Sequence, residues 1–197
     1  QIFKIFTIRP YWTYIYYIID EVTLMGKLGF YYNMNTCVGC GACQIACKDA
    51  HKLKAGEFFR RVDMMEEGPF SGTCNHCQEA ACVKVCPTGA MYKADDGTTR
   101  HDDGKCIGCG ACMWNCPYGE ISFSKTKGVT QKCDSCYERR EQGLEPICVT
   151  ACPTKSLKFM ELEETMADLP FLPDSLKTLP CLYVKPSKRA KEVMAND

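Results

Sequence analysis

Apolar positions are unevenly spread along this chain. Residues 1–24 are dense in aromatic and aliphatic side chains, but the uncharged run 10–19 is far shorter than the roughly 20 residues a membrane span needs. No paired arginines before an apolar region mark it for export. It reads as an extension outside the fold, ahead of Met25; the alternative is a docking or interfacial segment. Beyond it, residues 29–32 (Gly-Phe-Tyr-Tyr) read as a strand, and 90–93 with 98–101 read as a hairpin around Asp95-Asp96-Gly97. Short alanine-bearing segments between later cysteines open helices. Residues 162–197 carry Pro170, Pro173, Pro180 and Pro186 and read as an extended tail wrapping the body or a partner. The pattern is α+β with much loop.

The stretch 37–152 is poor in Leu, Ile and Val, so something other than an ordinary apolar core must hold it. Cysteine supplies the answer: of 17 in the chain, all but Cys181 fall into four groups of four. Cys37, Cys40, Cys43 and Cys47 form a C-x₂-C-x₂-C-x₃-C run, and so do Cys106, Cys109, Cys112 and Cys116. Cys74, Cys77, Cys82 and Cys86 widen the middle gap, and Cys133, Cys136, Cys148 and Cys152 carry an eleven-residue insert. This is the spacing of iron–sulfur ligands. Three cysteines recurring every third residue wrap one face of a cubane cluster, while the fourth lies too far round and serves a neighbouring cluster. Gly39, Gly41, Gly108 and Gly110 let the backbone come close, and Pro87, Pro117 and Pro153 turn the chain away. Zinc sites need two C-x₂-C pairs per tetrahedral metal and have no use for triplet loops. A disulfide-rich secreted domain would have an even count and a signal. Four groups predict four [4Fe–4S] clusters, a cluster-stabilised core and a poorly folded apo-protein.

The formal charge is zero, with 24 basic and 24 acidic residues. Sixteen thiolates around four dipositive cores bring the loaded protein to about −8. No basic stripe points to nucleic acid. Thiolates must stay reduced until the clusters enter, so assembly is expected in the cytoplasm. No nucleotide fingerprint, nucleophile elbow or open metal triad suggests catalysis.

The groups form a tandem repeat: 37–43 matches 106–112, and 86–93 matches 152–159. Repetition alone suggests pairing the first group with the second. Among lesser residues, His76 reads as packed or solvated, the alternatives being a donor to a cluster sulfur or a proton relay. Lys84, Lys105 and Lys132 read as surface charges, although each is near enough to a ligand to raise a potential. Trp114 reads as a shield for a cluster. Arg139, Arg140 and Glu141 offer a docking loop or a solvated charge run, and Cys181 reads as a spare thiol.

Cys74-Asn-His-Cys77, Cys86-Pro-Thr-Gly-Ala90, Cys106-Ile-Gly-Cys109, Asn115-Cys-Pro-Tyr-Gly119, Lys132-Cys-Asp-Ser-Cys-Tyr137 and Pro146-Ile-Cys-Val-Thr-Ala-Cys-Pro153 together resemble the iron–sulfur subunit of dimethyl sulfoxide reductase and its relatives, over residues 27–185. The resemblance implies a subunit between a molybdopterin catalytic subunit and a membrane anchor, with no span of its own. It also implies pairing the first group with the fourth and the second with the third. Carried over, the sets are Cys37, Cys40, Cys43 and Cys152; Cys133, Cys136, Cys148 and Cys47; Cys74, Cys77, Cys82 and Cys116; and Cys106, Cys109, Cys112 and Cys86. The four-cluster domain is then 25–161, as two pseudo-symmetric ferredoxin-like lobes of the bacterial dicluster type: 25–73 with 120–161, and 74–119. The function implied is electron relay in a peripheral membrane-associated complex, on a side of the membrane left open. The same subunit of a formate dehydrogenase or hydrogenase, or a free-standing polyferredoxin, are the competing readings.

Overall fold

The computed structural model describes residues 27–162 and 175–194. The expected extension, 1–24, lies outside the described residues. Strand β1 (Lys27–Asn33) is buried at Gly29, Phe30 and Tyr32 and partly buried elsewhere, so alternation holds over its second half, Phe30 to Asn33. It is the middle strand of three: β8 (Leu157–Leu162) pairs with it antiparallel, Phe30 opposite Phe159, and β9 (Leu182–Lys185) pairs parallel, Phe30 opposite Leu182. Phe30, Tyr32, Leu157, Leu182 and Val184 are buried here, each contributing about 1.5–3 kcal/mol.

Three separate hairpins hold the other strands among the described residues. They are β2 (Arg60–Met65) with β3 (Gly68–Thr73), β4 (Met91–Lys93) with β5 (Thr99–His101), and β6 (Ile121–Ser124) with β7 (Val129–Lys132). Helices are short: α1 (Ala42–Ala50), α2 (Ala81–Lys84), α3 (Ala111–Asn115), α4 (Tyr137–Glu141), α5 (Ile147–Thr150), α6 (Ser175–Thr178) and α7 (Lys188–Met194). Helix α1 packs on α5, and α2 packs on α3. Small helices and small sheets together make the α+β class.

The segment beyond residue 162 departs from a plain extended tail. It supplies β9 and two helices, and it is pinned by backbone bonds from Cys181 N to Asn75 O at 2.8 Å and from Phe30 N to Cys181 O at 3.2 Å. Leu182 and Val184 alternate inward on β9, with Ala190 fully buried beyond them, so this segment closes the sheet edge. Apolar packing is thin elsewhere: the second buried cluster is built on Met91, Cys112 and Ile121, with Cys82, Cys86 and Cys116 against it. None of the described helices is long and apolar enough to cross a membrane.

Candidate functional site

Each cysteine group is shaped by the same backbone device. The residue just before the second cysteine is left-handed in all four: Gly39 (φ 69°), His76 (46°), Gly108 (69°) and Ser135 (61°). The reversal lets cysteines three apart face one point, and glycine adopts it without the Cβ clash that His76 and Ser135 bear, about 1–2 kcal/mol each. A second left-handed residue, Gly41 or Gly110, then starts α1 or α3. After the last cysteine of three groups the chain turns again at Gly89, Gly119 and Lys155, each three residues on.

These turns bring distant cysteines together. One cavity is lined by Cys74, Cys77, Cys82 and Cys116, beneath Tyr118 and Thr178. Another is lined by Cys86, Cys106, Cys109 and Cys112, with Met91 and Thr130. In both, three cysteines of one group meet the last cysteine of another. Elsewhere Cys148 feels Cys47 and Cys136, and Cys133 is pushed well up by burial first and then by neighbours including Cys47, Cys74 and Cys148. Cys37 and Cys43 share the surroundings of the Tyr32 hydroxyl. Cys152 is tied towards them through Ser156, whose N–H donates to Cys152 Sγ at 3.3 Å and whose Oγ lies 2.9 Å from Thr36 Oγ1, next to Cys37. Cys40 is exposed.

The sulfurs face donors suited to thiolates. Met91 N–H donates to Cys86 Sγ at 3.4 Å and Ser135 N–H to Cys133 Sγ at 3.3 Å, while Thr130 Oγ1 lies 3.6 Å from Cys106 Sγ and 3.5 Å from Cys112 Sγ. Thr88 and Thr154, each two residues past a cysteine, approach Cys86 and Cys152 at 3.8 and 3.6 Å. Against burial, these hydroxyls and N–H groups hold the Cys86 and Cys152 thiols below their usual range. Burial and the neighbouring Cys74 push Cys77 and Cys82 up to about 12. All 17 cysteines are unbridged. Converging soft thiols with N–H donors and no disulfide fit a thiophilic metal cluster, which would strip their protons on binding.

Several sequence expectations change. Lys132 is not a surface charge: it is 4% exposed, with Nζ bonded to Thr99 O and, at 2.8 Å, to Cys133 O. Lys84 and Lys105 are exposed, paired with Glu79 and Asp102. Trp114 shields nothing here, since 89% of it is exposed; in a short helix its position points outward. His76 is fully buried, with Nδ1 accepting from Thr99 N–H at 3.2 Å. Burial, then Lys132 and Lys93, keep it neutral. Arg140 is part of the fold, donating to Asp96 and Ser135. Cys181 is buried and lines neither cysteine cavity.

Two residues escaped sequence reading. His51, one helical turn after Cys47, places Nδ1 3.7 Å from Cys47 Sγ and Nε2 4.0 Å from Cys136 Sγ and 3.6 Å from Asp134. The i,i+4 spacing on α1 was the available signal. Arg60 is 2% exposed and donates through Nη1 to Ser71 O and Oγ, both at 2.9 Å. No local pattern marks it.

Comparisons with known proteins agree with this chemistry. A 4Fe-4S dicluster domain matches residues 66–162, and a 4Fe-4S binding domain matches 34–50. The B subunit of the anaerobic dimethyl sulfoxide reductase of Escherichia coli (strain K12) is 37% identical over 187 residues, covering 84% of this chain and 91% of that subunit. The thiosulfate reductase electron transfer subunit PhsB of Salmonella typhi is 37% identical over 142 residues, 66% of this chain and 73% of its own. The arsenate respiratory reductase iron-sulfur subunit ArrB of Shewanella sp. (strain ANA-3) is 31% identical over 194 residues, 70% and 83%.

Proposed function

We infer that this chain, which belongs to the family of iron–sulfur electron-transfer subunits of dimethyl sulfoxide reductase-type complexes, relays electrons between a quinol-linked membrane anchor and a molybdopterin catalytic subunit. It is an electron-transfer subunit and not the catalytic one, in keeping with the names its relatives bear. Four [4Fe–4S] clusters would supply the capacity to take up and pass on single electrons. The chain's own residues hold, space and insulate them.

The cavity uniting Cys74, Cys77 and Cys82 with Cys116 carries the reading. It supports a crossed ligand scheme: Cys106, Cys109, Cys112 and Cys86 for its neighbour, with Cys37, Cys40, Cys43 and Cys152, and Cys133, Cys136, Cys148 and Cys47, for the other pair. The packing of α1 on α5 and of α2 on α3 favours the corresponding lobes, 25–73 with 120–161, and 74–119, within a domain of 25–161. Each shared peptide keeps two clusters near enough for tunnelling. We place cluster insertion in the cytoplasm and the loaded subunit at the membrane periphery.

Anaerobic purification tests this directly. The loaded chain should hold roughly 16 iron and 16 acid-labile sulfide. Mixed with a molybdopterin subunit and anchor it should restore quinol-dependent substrate reduction, and alone it should reduce no such substrate. Stoichiometric zinc without sulfide would end the reading; free exchange with several soluble enzymes would favour a polyferredoxin.

A further inference from the structure

Arg60 opens β2, at the base of the hairpin that follows the first cysteine group. Its guanidinium lies 4.6 Å over the Phe30 ring, and its Nε and Nη2 are buried without a hydrogen-bond partner. Among the described residues no carboxylate forms an ion pair with it. A buried, permanently charged group with idle donors needs a negative counterpart. The Glu120 carboxyl is within its reach but pairs with Arg61 at 3.8 Å, and the groups that hold the Arg60 charge against burial are cysteines: Cys148, Cys133, Cys43 and Cys47. Ser71 extends the link, since its Oγ accepts from Arg60 Nη1 and lies 3.4 Å from Cys43 Sγ.

We propose that Arg60 sets the reduction potentials of the two clusters in its own lobe: directly for the one held by Cys47, Cys133, Cys136 and Cys148, and through Ser71 for the one held by Cys43. The inference rests on the cluster reading above. A four-thiolate site around a dipositive core carries about −2, and about −3 after gaining one electron. A fixed positive charge within reach of the thiolates stabilises the reduced form more, and raises the potential. Arg60 is within electrostatic reach of cysteines from both sites, so it also softens the repulsion that a second electron in the lobe would meet.

The test is a redox titration followed by electron paramagnetic resonance on the anaerobically purified protein, with signals assigned by single-ligand variants. Arg60→Gln should lower the reduction constant of the Cys148 cluster about tenfold, which is 59 mV for one electron, with a smaller fall at the Cys43 cluster and none in the other lobe. Ser71→Ala should move the Cys43 cluster alone. Arg60→Lys, which keeps the charge, should shift less than Arg60→Gln. Intact signals with unmoved midpoints in Arg60→Gln would overturn the proposal, as would an equal shift in all four clusters. Should Arg60→Gln fail to assemble, a normally loaded Arg60→Lys supports the charge requirement, and its loss of clusters refutes it. Missing signals in the unmodified protein would overturn the cluster reading itself.

Discussion

Arg140 Nη2 donates to Asp96 Oδ2 at 2.7 Å, joining the helix that follows Cys136 to the hairpin turn that follows Cys86. Arg100 reaches the same oxygen at 3.0 Å, and Thr98 bonds Oδ1 through its N–H and hydroxyl. Against burial, Thr98 and Arg140 hold this carboxyl well below the usual range. A carboxyl lowered in the fold contributes stability that is complete above its unfolded pKa, about 3.9, and is lost as pH falls through its folded one. Asp96→Asn should cost about 2 kcal/mol at neutral pH, where the lowered carboxyl contributes in full. Urea titrations of the loaded protein at about pH 7, well above the carboxyl range, would show it without releasing the acid-labile sulfide. An unchanged midpoint would deny the clasp its role.

Gly29 is the close-approach point of the central sheet. A Cβ there would strike Cys181 O and sit 2.7 Å from Leu162 Cδ1; the leucine side chain can turn aside, but the backbone at Cys181, which leads into β9, would have to move. Gly29→Ala should destabilise the protein by about 3 kcal/mol and speed hydrogen exchange in β9 before the distant hairpins. Equal exchange rates with and without the methyl group would count against this packing.

The crossed ligand scheme makes a sharp prediction about pairs. Cys47→Ser and Cys133→Ser should abolish or alter one and the same paramagnetic signal, and Cys116→Ser should act on the signal that Cys74→Ser affects. Matching of Cys47→Ser with Cys74→Ser would instead favour tandem pairing. Cys181→Ser should leave iron content unchanged.

Removing iron should undo the fold around residues 74–124 first. The buried apolar groups there are few, centred on Met91 and Ile121, and cluster binding energy must replace them. Anaerobic chelation should bleach the protein and expose this region to proteolysis. Retention of native near-ultraviolet circular dichroism after full iron loss would contradict the expectation.

Local signals were legible in the sequence. Cysteine spacing, strand 29–32 and the hairpin 90–101 depend on neighbours along the chain, and the observed register, Met91 opposite His101, follows the Asp-Gly turn. What escaped depends on distant partners. Leu182–Lys185 is a strand because β1, some 150 residues earlier, offers it an edge, and the flanking Pro180 and Pro186 mask that pairing. Arg60 and Lys132 look like surface charges until the fold shows thiols and carbonyls around them. His51 is intermediate, since its helical spacing from Cys47 was readable but its contact with Cys136 was not.

The central sheet also dictates a timetable. Strand β1 precedes every cysteine, yet both strands that flank it come from the far end of the described residues, at Leu157–Leu162 and Leu182–Lys185. A nascent polypeptide leaving the ribosome therefore carries β1 as an unpaired edge through most of its synthesis, and nucleation of this sheet waits on long-range closure. The hairpins and the α2–α3 contact lie within shorter stretches and are complete much sooner. The sheet therefore closes late, and until it does the unpaired β1 edge is open to association with other chains.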